Sequence, residues 1–424
     1  MISPKLVLFA LTLSLLAAAA PAPLADDLEP TRIHLRKRVS LTRSDGTFDY
    51  DEAIRQNVKT ANKIRRNIIN VQRNTGQLPS GVIKIPAIAT LPSRLLVKRQ
   101  KVPLTDLEDD SEWAGNITVG TPPRTFFIDF DTGSSDLWIP SSSCNTCQGA
   151  GKALYDASKS STSALKDGTF EIEYGDGSST SGPIYTDTVT VGGVKATQQY
   201  FSAVTSESPE FVGDPADGIL GLALPAISNL GQDPFFVTAF KQKHAAQNEF
   251  AFKLNTTGSE LHIGGTNRAL YKGSLEYNNL SSNIGYWQIG NANALVNGKS
   301  AASGFQTIID SGTTIMYGPP DAAKKVYAAV KGSQVYDADN GFYSFPCATP
   351  PILAFTWGGK SWDISPDNFN LGETQSGSGR CVGALVGKDF GLGDDVWVLG
   401  DSFMKNVYTV FSFDKKAVGF AALE

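Results

Sequence analysis

Apolar residues occur along the chain in short groups, and most of these groups predict strands. Residues 125–130 form a mostly apolar run of the length expected for a buried strand. Residues 186–191 alternate with period two before Gly192 and Gly193, which also predicts a strand ending in a turn. Residues 171–174 alternate as well, and turn-forming residues follow them, so a β-hairpin is expected there. With 41 glycines, the chain has the composition of a turn-rich β protein.

Three segments predict helices. Asp233 and Pro234 suit the cap and first turn of a helix over 235–242. Asp321 is placed to cap a helix over 322–331, which Gly332 would end. The third segment is an amphipathic helix, marked by apolar residues at roughly helical spacing: Ile54, Val58, Ile64, Ile68 and Val71.

The first twenty residues have the features of a signal peptide. Lys5 precedes residues 6–16, which are apolar except for Thr12 and Ser14, and four alanines at 17–20 follow. A membrane anchor is the alternative, but the apolar stretch is short and no charged flank follows it. No later segment approaches the roughly 20 apolar residues of a spanning helix, so no membrane association is expected of the mature form.

Charge divides the rest of the chain. Residues 27–101 carry 16 lysines and arginines against 6 acidic residues, whereas 102–424 carry 20 against 35. A basic block can bind nucleic acid or membranes. Here it follows a signal peptide and its opposite charge lies in the same chain, so residues 21–101 are interpreted as a basic inhibitory propeptide. Lys98, Arg99 and Lys101 offer a processing site, and no nucleic-acid partner is expected.

Four cysteines allow three disulfide pairings. The favoured one joins Cys144 to Cys147 and Cys347 to Cys381, worth roughly 2 and about 4 kcal/mol in loop-closure entropy. A redox or zinc motif is the alternative for the first pair. A redox site would need a helix at the first cysteine, and a zinc site would need further ligands nearby. The three histidines lie far apart in sequence, so no metal site is predicted.

A duplicated motif is the most informative feature of the chain. Residues 130–135, FDTGSS, recur as IDSGTT at 309–314. In each copy an aliphatic-Leu-Gly triplet follows the aspartate, Asp131 or Asp310, after the same interval of 88 residues. Equal intervals indicate two copies of one folding unit related by an approximate twofold axis. Such symmetry would bring Asp131 and Asp310 together.

Five motifs resemble the pepsin family of aspartic proteases: FDTGSSDLW at 130–138, YGDG at 174–177, DGILGL at 217–222, IDSGTT at 309–314 and VWVLGD at 396–401. The resemblance covers residues 112–424. It implies an all-β, bilobal fold with pseudo-twofold lobes, expected at 102–253 and 254–424, and a cleft between them. It also implies an aspartic endopeptidase that needs no cofactor, cleaves proteins or peptides at acidic pH, and is made as a zymogen. Asp131 and Asp310 would be its catalytic pair.

Paired carboxylates have a physical rationale in such chemistry. Oxygens roughly 3 Å apart repel by about 5 kcal/mol at an effective dielectric constant of ~20. That energy corresponds to about 4 pKa units, so double ionisation is opposed and one proton is shared. The ionised member can take a proton from water, while the protonated member polarises the scissile carbonyl. The pair, rather than either residue, holds the proton.

The resemblance assigns supporting roles too. Ser134 and Thr313 would hydrogen-bond the outer carboxylate oxygens, and Thr132 and Ser311 would join the two turns. Propeptides of this family often place a lysine between the catalytic acids, for which Lys84 and Lys98 are the candidates. The hairpin would be a flap over the cleft, supported by Trp138. Its residues would be Tyr174, Gly175, Asp176 and Ser178. Asp176 would let the primary substrate pocket accept lysine beside large apolar residues.

Two alternatives for the function were weighed. A protease-like binding protein without catalysis is disfavoured because both Asp-x-Gly turns and Tyr174 are intact. A glycoside hydrolase with paired carboxylates would not explain the duplicated turns or the propeptide. Glycosylation sequons begin at Asn116, Asn255 and Asn279. We therefore expect a monomeric secreted glycoprotein, with secretion favoured over the vacuole.

Overall fold

The computed structural model describes residues 31–37, 41–95, 113–148, 151–173, 179–212, 214–255, 258–282 and 285–424. The predicted signal peptide, the processing site at Lys98, Arg99 and Lys101, and the hairpin tip at 174–178 lie outside the described residues. Strands dominate the described part, and the predicted all-β class is confirmed.

The strands are short and follow one another closely along the chain. In chain order they are β1 Thr31–His34, β2 Arg36–Lys37, β3 Trp113–Val119, β4 Arg124–Asp131, β5 Leu137–Pro140, β6 Ala164–Glu173, β7 Ser179–Val191, β8 Val194–Val204, β9 Ser206–Glu207, β10 Gly218–Gly221, β11 Glu249–Lys253, β12 Glu260–Ile263 and β13 Tyr271–Asn279. The second half adds β14 Gln288–Val296, β15 Lys299–Ile309, β16 Met316–Gly318, β17 Gln334–Asp337, β18 Phe342–Pro346, β19 Leu353–Thr356, β20 Ser361–Ile364, β21 Asn370–Glu373, β22 Arg380–Gly383, β23 Leu385–Gly387, β24 Val396–Leu399, β25 Val407–Ser412 and β26 Ala417–Leu423.

Helices are few and mostly of one or two turns. They are α1 Tyr50–Thr75, α2 Pro209–Val212, α3 Phe235–Lys241, α4 Pro320–Ala328, α5 Pro366–Phe369 and α6 Asp401–Met404. Short 3-10 turns lie at Ser93–Leu95, Ala157–Lys159, Pro225–Ile227 and Arg268–Leu270. Only α1, with 26 residues, is long. In the described part of the chain, no helix combines the length and the apolar character needed to cross a membrane.

Four sheets organise the described strands. The first half forms a nine-stranded sheet in the order β2-β3-β4-β10-β5-β8-β7-β6, with β9 beside β7. The second half forms a seven-stranded sheet, β20-β19-β14-β15-β24-β16-β23, and a four-stranded sheet, β17-β18-β22-β21. A six-stranded sheet, β1-β12-β11-β25-β26-β13, is built from distant parts of the sequence. The lobe boundary suggested at residue 253 stays a prediction, since β11 and β12 on either side of it pair within this sheet.

The two halves repeat the same three-strand arrangement. Parallel pairing joins β4 to β10, with Asp131 opposite Gly221, and joins β15 to β24, with Ile309 opposite Leu399. The third strand, β5 or β16, then pairs antiparallel with β10 or β24. Each aspartate therefore stands at the carboxyl end of a central strand, beside the glycine of the aliphatic-Leu-Gly triplet. The duplication inferred from the sequence is confirmed.

The N-terminal segment, residues 31–37 and 41–95, is joined to the six-stranded and the nine-stranded sheets. Strand β1 pairs with β12, and β2 pairs with β3. Helix α1 begins where the Asp49 side chain accepts a hydrogen bond from the Glu52 amide, and it ends at Gly76, whose φ of 77° only glycine adopts freely. The predicted amphipathic helix is confirmed, because all five of its apolar marker residues are buried.

The other local predictions hold with two corrections. Strands β4 and β7 and the β6–β7 hairpin contain the predicted segments. Helix α3 is capped by Pro234, and Asp233 instead forms an ion pair with Lys241. Helix α4 begins at Pro320, so Asp321 lies in its first turn, and it ends three residues before the predicted terminus. In both cases a proline at or beside the N-terminus fixes the start of the helix.

Both predicted disulfides are confirmed. Cys144 bonds to Cys147 and Cys347 to Cys381, with Cα separations of 5.3 and 5.1 Å. All four cysteines are thereby used, so the CxxC sequence at 144–147 closes a small loop. The second bridge lies at β22 and closes a loop of 34 residues in the second half.

Candidate active site

Two strand ends bring the predicted aspartates to one place. Asp131 is the last residue of β4, and Asp310 directly follows β15. The preceding residues, Phe130 and Ile309, are fully buried and fix the strands in the core. The Asp310 amide donates to the Leu399 carbonyl at 3.1 Å, which holds its turn against β24. Both aspartates are themselves nearly inaccessible, at 4% and 2% exposure.

The two turns are joined by a reciprocal set of buried hydrogen bonds. The Thr132 amide donates to Ser311 Oγ at 3.0 Å, and the Ser311 amide donates to Thr132 Oγ1 at 2.9 Å. Each hydroxyl then donates to the opposite strand, Thr132 to the Ile309 carbonyl and Ser311 to the Phe130 carbonyl. Thr132 and Ser311 thus lie where the resemblance implied. We call this set of four bonds the turn clasp.

Hydrogen bonds within each turn orient the carboxylates. The Gly133 amide donates to Asp131 Oδ1 at 2.8 Å, and the Gly312 amide donates to Asp310 Oδ1 at 2.9 Å. A Cβ at Gly133 would overlap the Asp310 carboxylate, and one at Gly312 would overlap the Asp131 carboxylate. Each glycine therefore permits the acid of the opposite turn to approach.

The outer hydroxyls differ between the two turns. Thr313 Oγ1 donates to Asp310 Oδ2 at 2.7 Å, as the resemblance implied. The buried Ser134 Oγ lies near enough to Asp131 to lower its pKa, but it does not form a hydrogen bond of the length and angle that Thr313 makes. The pseudo-twofold symmetry of the site is thus broken at this position.

A lysine from α1 lies between the two acids. Lys63 Nζ is 3.2 Å from Asp131 Oδ1 and 2.7 Å from Asp310 Oδ2, and it donates to the Gly312 carbonyl at 3.1 Å. The lysine is only 5% exposed. Its ammonium therefore occupies the space in front of the two carboxylates.

The charges of these three groups depend on one another. Burial opposes the charge on Lys63, but Asp131 and Asp310 outweigh it and raise the pKa of the ammonium. Burial would likewise raise the pKa of Asp131, but Lys63, with the Ser134 dipole and the Gly133 amide, lowers it. Burial, aided by the charge of Asp131, raises the pKa of Asp310. The lysine is thus held charged, and the two carboxyls differ in acidity.

Lys63 was not among the two lysines predicted for this position. Lys84 is exposed, and Lys98 lies outside the described residues. The available signal was a row of buried polar residues on α1, since Asn57, Thr60, Lys63, Asn67 and Asn70 recur at intervals of three or four. In an amphipathic helix a polar row ordinarily faces solvent, so the contacts of this row with carbonyls and acids are seen only in the structure.

Amide side chains of α1 extend the contact along the cleft. Asn67 Nδ2 donates to the Gly133 carbonyl at 2.7 Å, and Asn70 Nδ2 donates to the Ile227 carbonyl at 2.9 Å. Nearer the helix N-terminus, the Tyr317 hydroxyl donates to Asn57 Oδ1 at 2.9 Å. The helix therefore contacts both halves of the molecule through uncharged groups as well as through Lys63.

The predicted flap is described only at its base. Strands β6 and β7 pair up to Glu173 and Ser179, and the connecting residues Tyr174, Gly175, Asp176 and Ser178 lie outside the described part. Trp138 is 2% exposed and packs against Phe211 with ring centroids 5.2 Å apart. It shares a small apolar cluster with Phe170 and Ile172 of β6. Trp138 thus packs at the base of the hairpin, and its support of a flap stays a prediction.

Other predicted positions lie away from this site. Asn116 on β3, Asn255 and Asn279 are exposed, so the three sequons are accessible to modification. In the described ranges, no group of three or more His, Cys, Asp or Glu side chains is arranged to hold a metal ion.

Comparisons with known proteins agree with this geometry. The family model described as eukaryotic aspartyl protease matches residues 112–423. An aspartic protease of Phaffia rhodozyma is 43% identical over 324 residues, which cover 75% of this chain and 78% of that protein. Human cathepsin D is 36% identical over 337 residues, 74% of this chain and 81% of its own. Rhizopuspepsin of Rhizopus chinensis is 36% identical over 319 residues, 73% and 78% respectively.

The turn clasp predicts a specific cost for losing one hydroxyl. Ser311→Ala leaves the buried Thr132 amide and Phe130 carbonyl without their partner, so we expect a loss of about 1–3 kcal/mol in unfolding free energy. Ser311→Thr keeps the hydroxyl and serves as the matched control. Scanning calorimetry of the full chain should show a lower Tm for the alanine variant only. Equal Tm values for alanine and threonine would contradict the role of the clasp.

Proposed function

The chain belongs to the eukaryotic aspartyl protease family, and we propose that it is a zymogen whose N-terminal segment blocks the catalytic pair until acid releases it. It is an aspartic-type endopeptidase, which hydrolyses peptide bonds of proteins or peptides. The observation that carries the proposal is the contact of Lys63 Nζ with both Asp131 and Asp310. An active aspartic protease needs that space for water and substrate.

Catalysis in the open form uses the two acids together. Without Lys63, two carboxyls held side by side by the turn clasp repel each other, so one proton is shared between them. The ionised member removes a proton from a water bound between them, and the protonated member donates a hydrogen bond to the scissile carbonyl. The pair then delivers a proton to the leaving nitrogen. Aspartic proteases are the general example of this pKa splitting.

Release by acid follows from the direction of the pKa shifts. In the closed form Lys63 opposes the effect of burial and lowers the pKa of Asp131. Opening removes this ammonium, so the pKa of Asp131 rises and this carboxyl binds a proton more readily in the open form. The stability that Lys63 gives the closed form is therefore fully present at neutral pH, and it is lost as pH falls from about 4, the ordinary carboxyl range, to the closed-form pKa of Asp131, about 2.

The remaining parts of the proposal concern the route of the protein. Residues 1–20 are proposed to direct secretion, and residues 21–101 to be removed as an inhibitory propeptide. The exposed Asn116, Asn255 and Asn279 are proposed glycosylation sites, and the mature enzyme is proposed to be a monomer. N-terminal sequencing and the mass of the secreted chain, before and after glycosidase treatment, test these points; an uncleaved N-terminus would contradict the first two.

Loss of either acid is expected to abolish proteolysis. Asp131→Asn and Asp310→Asn cannot share a proton as the native pair does, so peptide cleavage in acid should fall by about 10²- to 10⁴-fold or more. Asp363→Asn, an exposed acid on β20, is the control. Pepstatin should titrate the wild-type activity with one inhibitor per chain. Undiminished cleavage by Asp131→Asn would refute the assignment.

Removing the ammonium should shift activation to higher pH. Lys63→Gln keeps a polar side chain but loses charge-assisted hydrogen bonds to both acids, each worth about 1.5–3 kcal/mol. If opening takes up one proton, such a loss moves the pH at which activity appears upward by about one unit or more. Lys84→Gln, an exposed lysine of the same segment, is the control. Identical pH–activity curves for the two variants would contradict the blocking role of Lys63.

Substrate preference is proposed to include lysine beside large apolar residues. This proposal comes from Asp176 in the predicted flap, whose carboxylate would pair with a lysine side chain at the scissile bond. Asp176→Thr should therefore reduce kcat/KM for a lysine peptide by about tenfold or more relative to its leucine analogue. Rates on the matched Lys and Leu peptides give the comparison. Equal effects on both peptides would rule out this role.

A further inference from the structure

The N-terminal segment has a second anchor in the C-terminal half, away from the catalytic pair. Residues 46–50 lie on strand β21 of the four-stranded sheet and against the loop that follows β17. We call the surface that receives them the edge recess; it consists of Gly372 and Glu373 of β21 with Tyr336, Asp337, Asn340 and Phe342. All six residues belong to the region that matches the protease family.

Two backbone hydrogen bonds join the segment to the sheet edge through a single parallel bridge between Thr47 and Glu373. Strand β21 is the last in the order β17-β18-β22-β21. On its outer edge, the Phe48 amide donates to the Glu373 carbonyl at 2.8 Å, and the Glu373 amide donates to the Gly46 carbonyl at 2.9 Å. Addition of an extended peptide to a sheet edge is a general mode of peptide recognition, because it is largely independent of side chains.

Gly372 makes this close approach possible. A Cβ at Gly372 would lie 2.9 Å from the Gly46 carbonyl oxygen and 2.9 Å from the Phe48 nitrogen. Such distances are too short for a side chain, so the backbone of the incoming strand can pass only over a glycine. A glycine at this position in a strand marks a place where another backbone approaches.

Alternate side chains of the segment enter the recess. The Phe48 ring contacts Phe342 and Tyr336 edge to face, with centroids 5.4 and 6.1 Å apart, and is 3% exposed. Two residues on, the Tyr50 hydroxyl donates to Asp337 Oδ2 at 2.6 Å. Tyr50 is the first residue of α1, so the two side chains enter the recess where a short bridged stretch passes into the helix. The recess therefore recognises an aromatic residue and a tyrosine separated by one residue.

The acceptor for the tyrosine remains ionised in mild acid. Burial opposes the charge on Asp337, but hydrogen bonds from Tyr50 and Asn340 outweigh burial and lower the pKa of this carboxyl. Asn340 Nδ2 donates to Asp337 Oδ2 at 2.7 Å and to the Tyr50 hydroxyl at 3.2 Å. The hydroxyl is thus held by one charged acceptor and one neutral donor. Neither hydrogen bond depends on the neutral pH at which the ionised catalytic acids hold Lys63.

Removal of the segment would leave this surface open. Val335 and Tyr336 are 59% and 36% exposed even with the segment in place. Without it, the β21 edge has unpaired backbone groups, and the rings of Tyr336 and Phe342 lose their cover. An open edge beside an aromatic patch favours binding of another extended chain.

We propose that the edge recess is a second substrate-binding site of the working protease, which binds a segment of sequence aromatic-x-Tyr in the cleaved protein. This proposal rests on the proposed function, because the N-terminal segment must leave first. Thirteen residues of α1 separate Tyr50 from Lys63, which corresponds to about 20 Å. A substrate must therefore extend well beyond the cleft to reach both sites, and binding at the recess would raise its effective concentration at the acids.

Two matched substrates test the proposal. Each carries the same eight-residue cleavable sequence, joined by a flexible spacer of about 15 residues, which spans roughly 20 Å. One carries the tail Thr-Phe-Asp-Tyr, the sequence of residues 47–50, and the other carries the tail Thr-Ala-Asp-Ala. Each substrate is made in two arrangements, with the tail before or after the cleavable sequence. The full chain, converted by its own acid treatment, should cleave the aromatic substrate with a kcat/KM about tenfold higher, mainly through KM, in at least one arrangement.

Variants of the recess give the controls. Asp337→Asn and Tyr336→Ala should reduce the ratio of kcat/KM between the aromatic-tailed and alanine-tailed substrates to nearly one. Asp339→Asn, which changes an exposed acid two residues away, should leave this ratio unchanged. Rates on the alanine-tailed substrate should be equal in all chains, which shows that the variants are folded. Equal rates on the two tails in the wild-type enzyme, for both arrangements, would overturn the proposal. Failure to cleave the alanine-tailed substrate at all would instead refute the proposed function.

Discussion

Two buried carboxylates facing each other are the constraint on which the rest of this structure depends. Acids in a buried site repel each other and lose their hydration, so they persist only if nearby groups compensate both effects. The glycine amides and Thr313 supply hydrogen bonds. The turn clasp supplies rigidity, because each turn is fixed by backbone and hydroxyl groups of the other. Without the clasp, repulsion between the acids would separate the two turns.

The N-terminal segment solves the same electrostatic problem in a different way. Lys63 neutralises the acids directly, and its contribution disappears when they bind protons. The amides of Asn67 and Asn70 and the strand contact at β21 carry no net charge, so acid does not remove them in the same manner. In the proposed zymogen, charge therefore makes the blocked state sensitive to pH, while uncharged contacts determine where the segment lies.

The contacts of the segment also indicate how the protease recognises chains. Helix α1 occupies the space before the acids, and residues 46–50 occupy an aromatic recess about 20 Å away. Both surfaces belong to the region that remains in the proposed mature enzyme. A segment that blocks a peptide-binding enzyme contacts surfaces that can bind peptide chains. Its contacts can therefore be used to infer where substrates bind.

The sequence by itself determined the features that depend on local pattern and on internal repetition. The duplicated Asp-x-Gly turns, the all-β fold class, the disulfide pairs and the amphipathic α1 could all be inferred, because each follows from the spacing or the type of the residues. Lys63 could not be selected from sixteen basic residues, because the rotation of α1 over the cleft is set by packing against both lobes. The edge recess was likewise decided by tertiary structure alone: β21 and residues 46–50 are over 300 positions apart, and no local pattern shows which strand edge a distant segment will join.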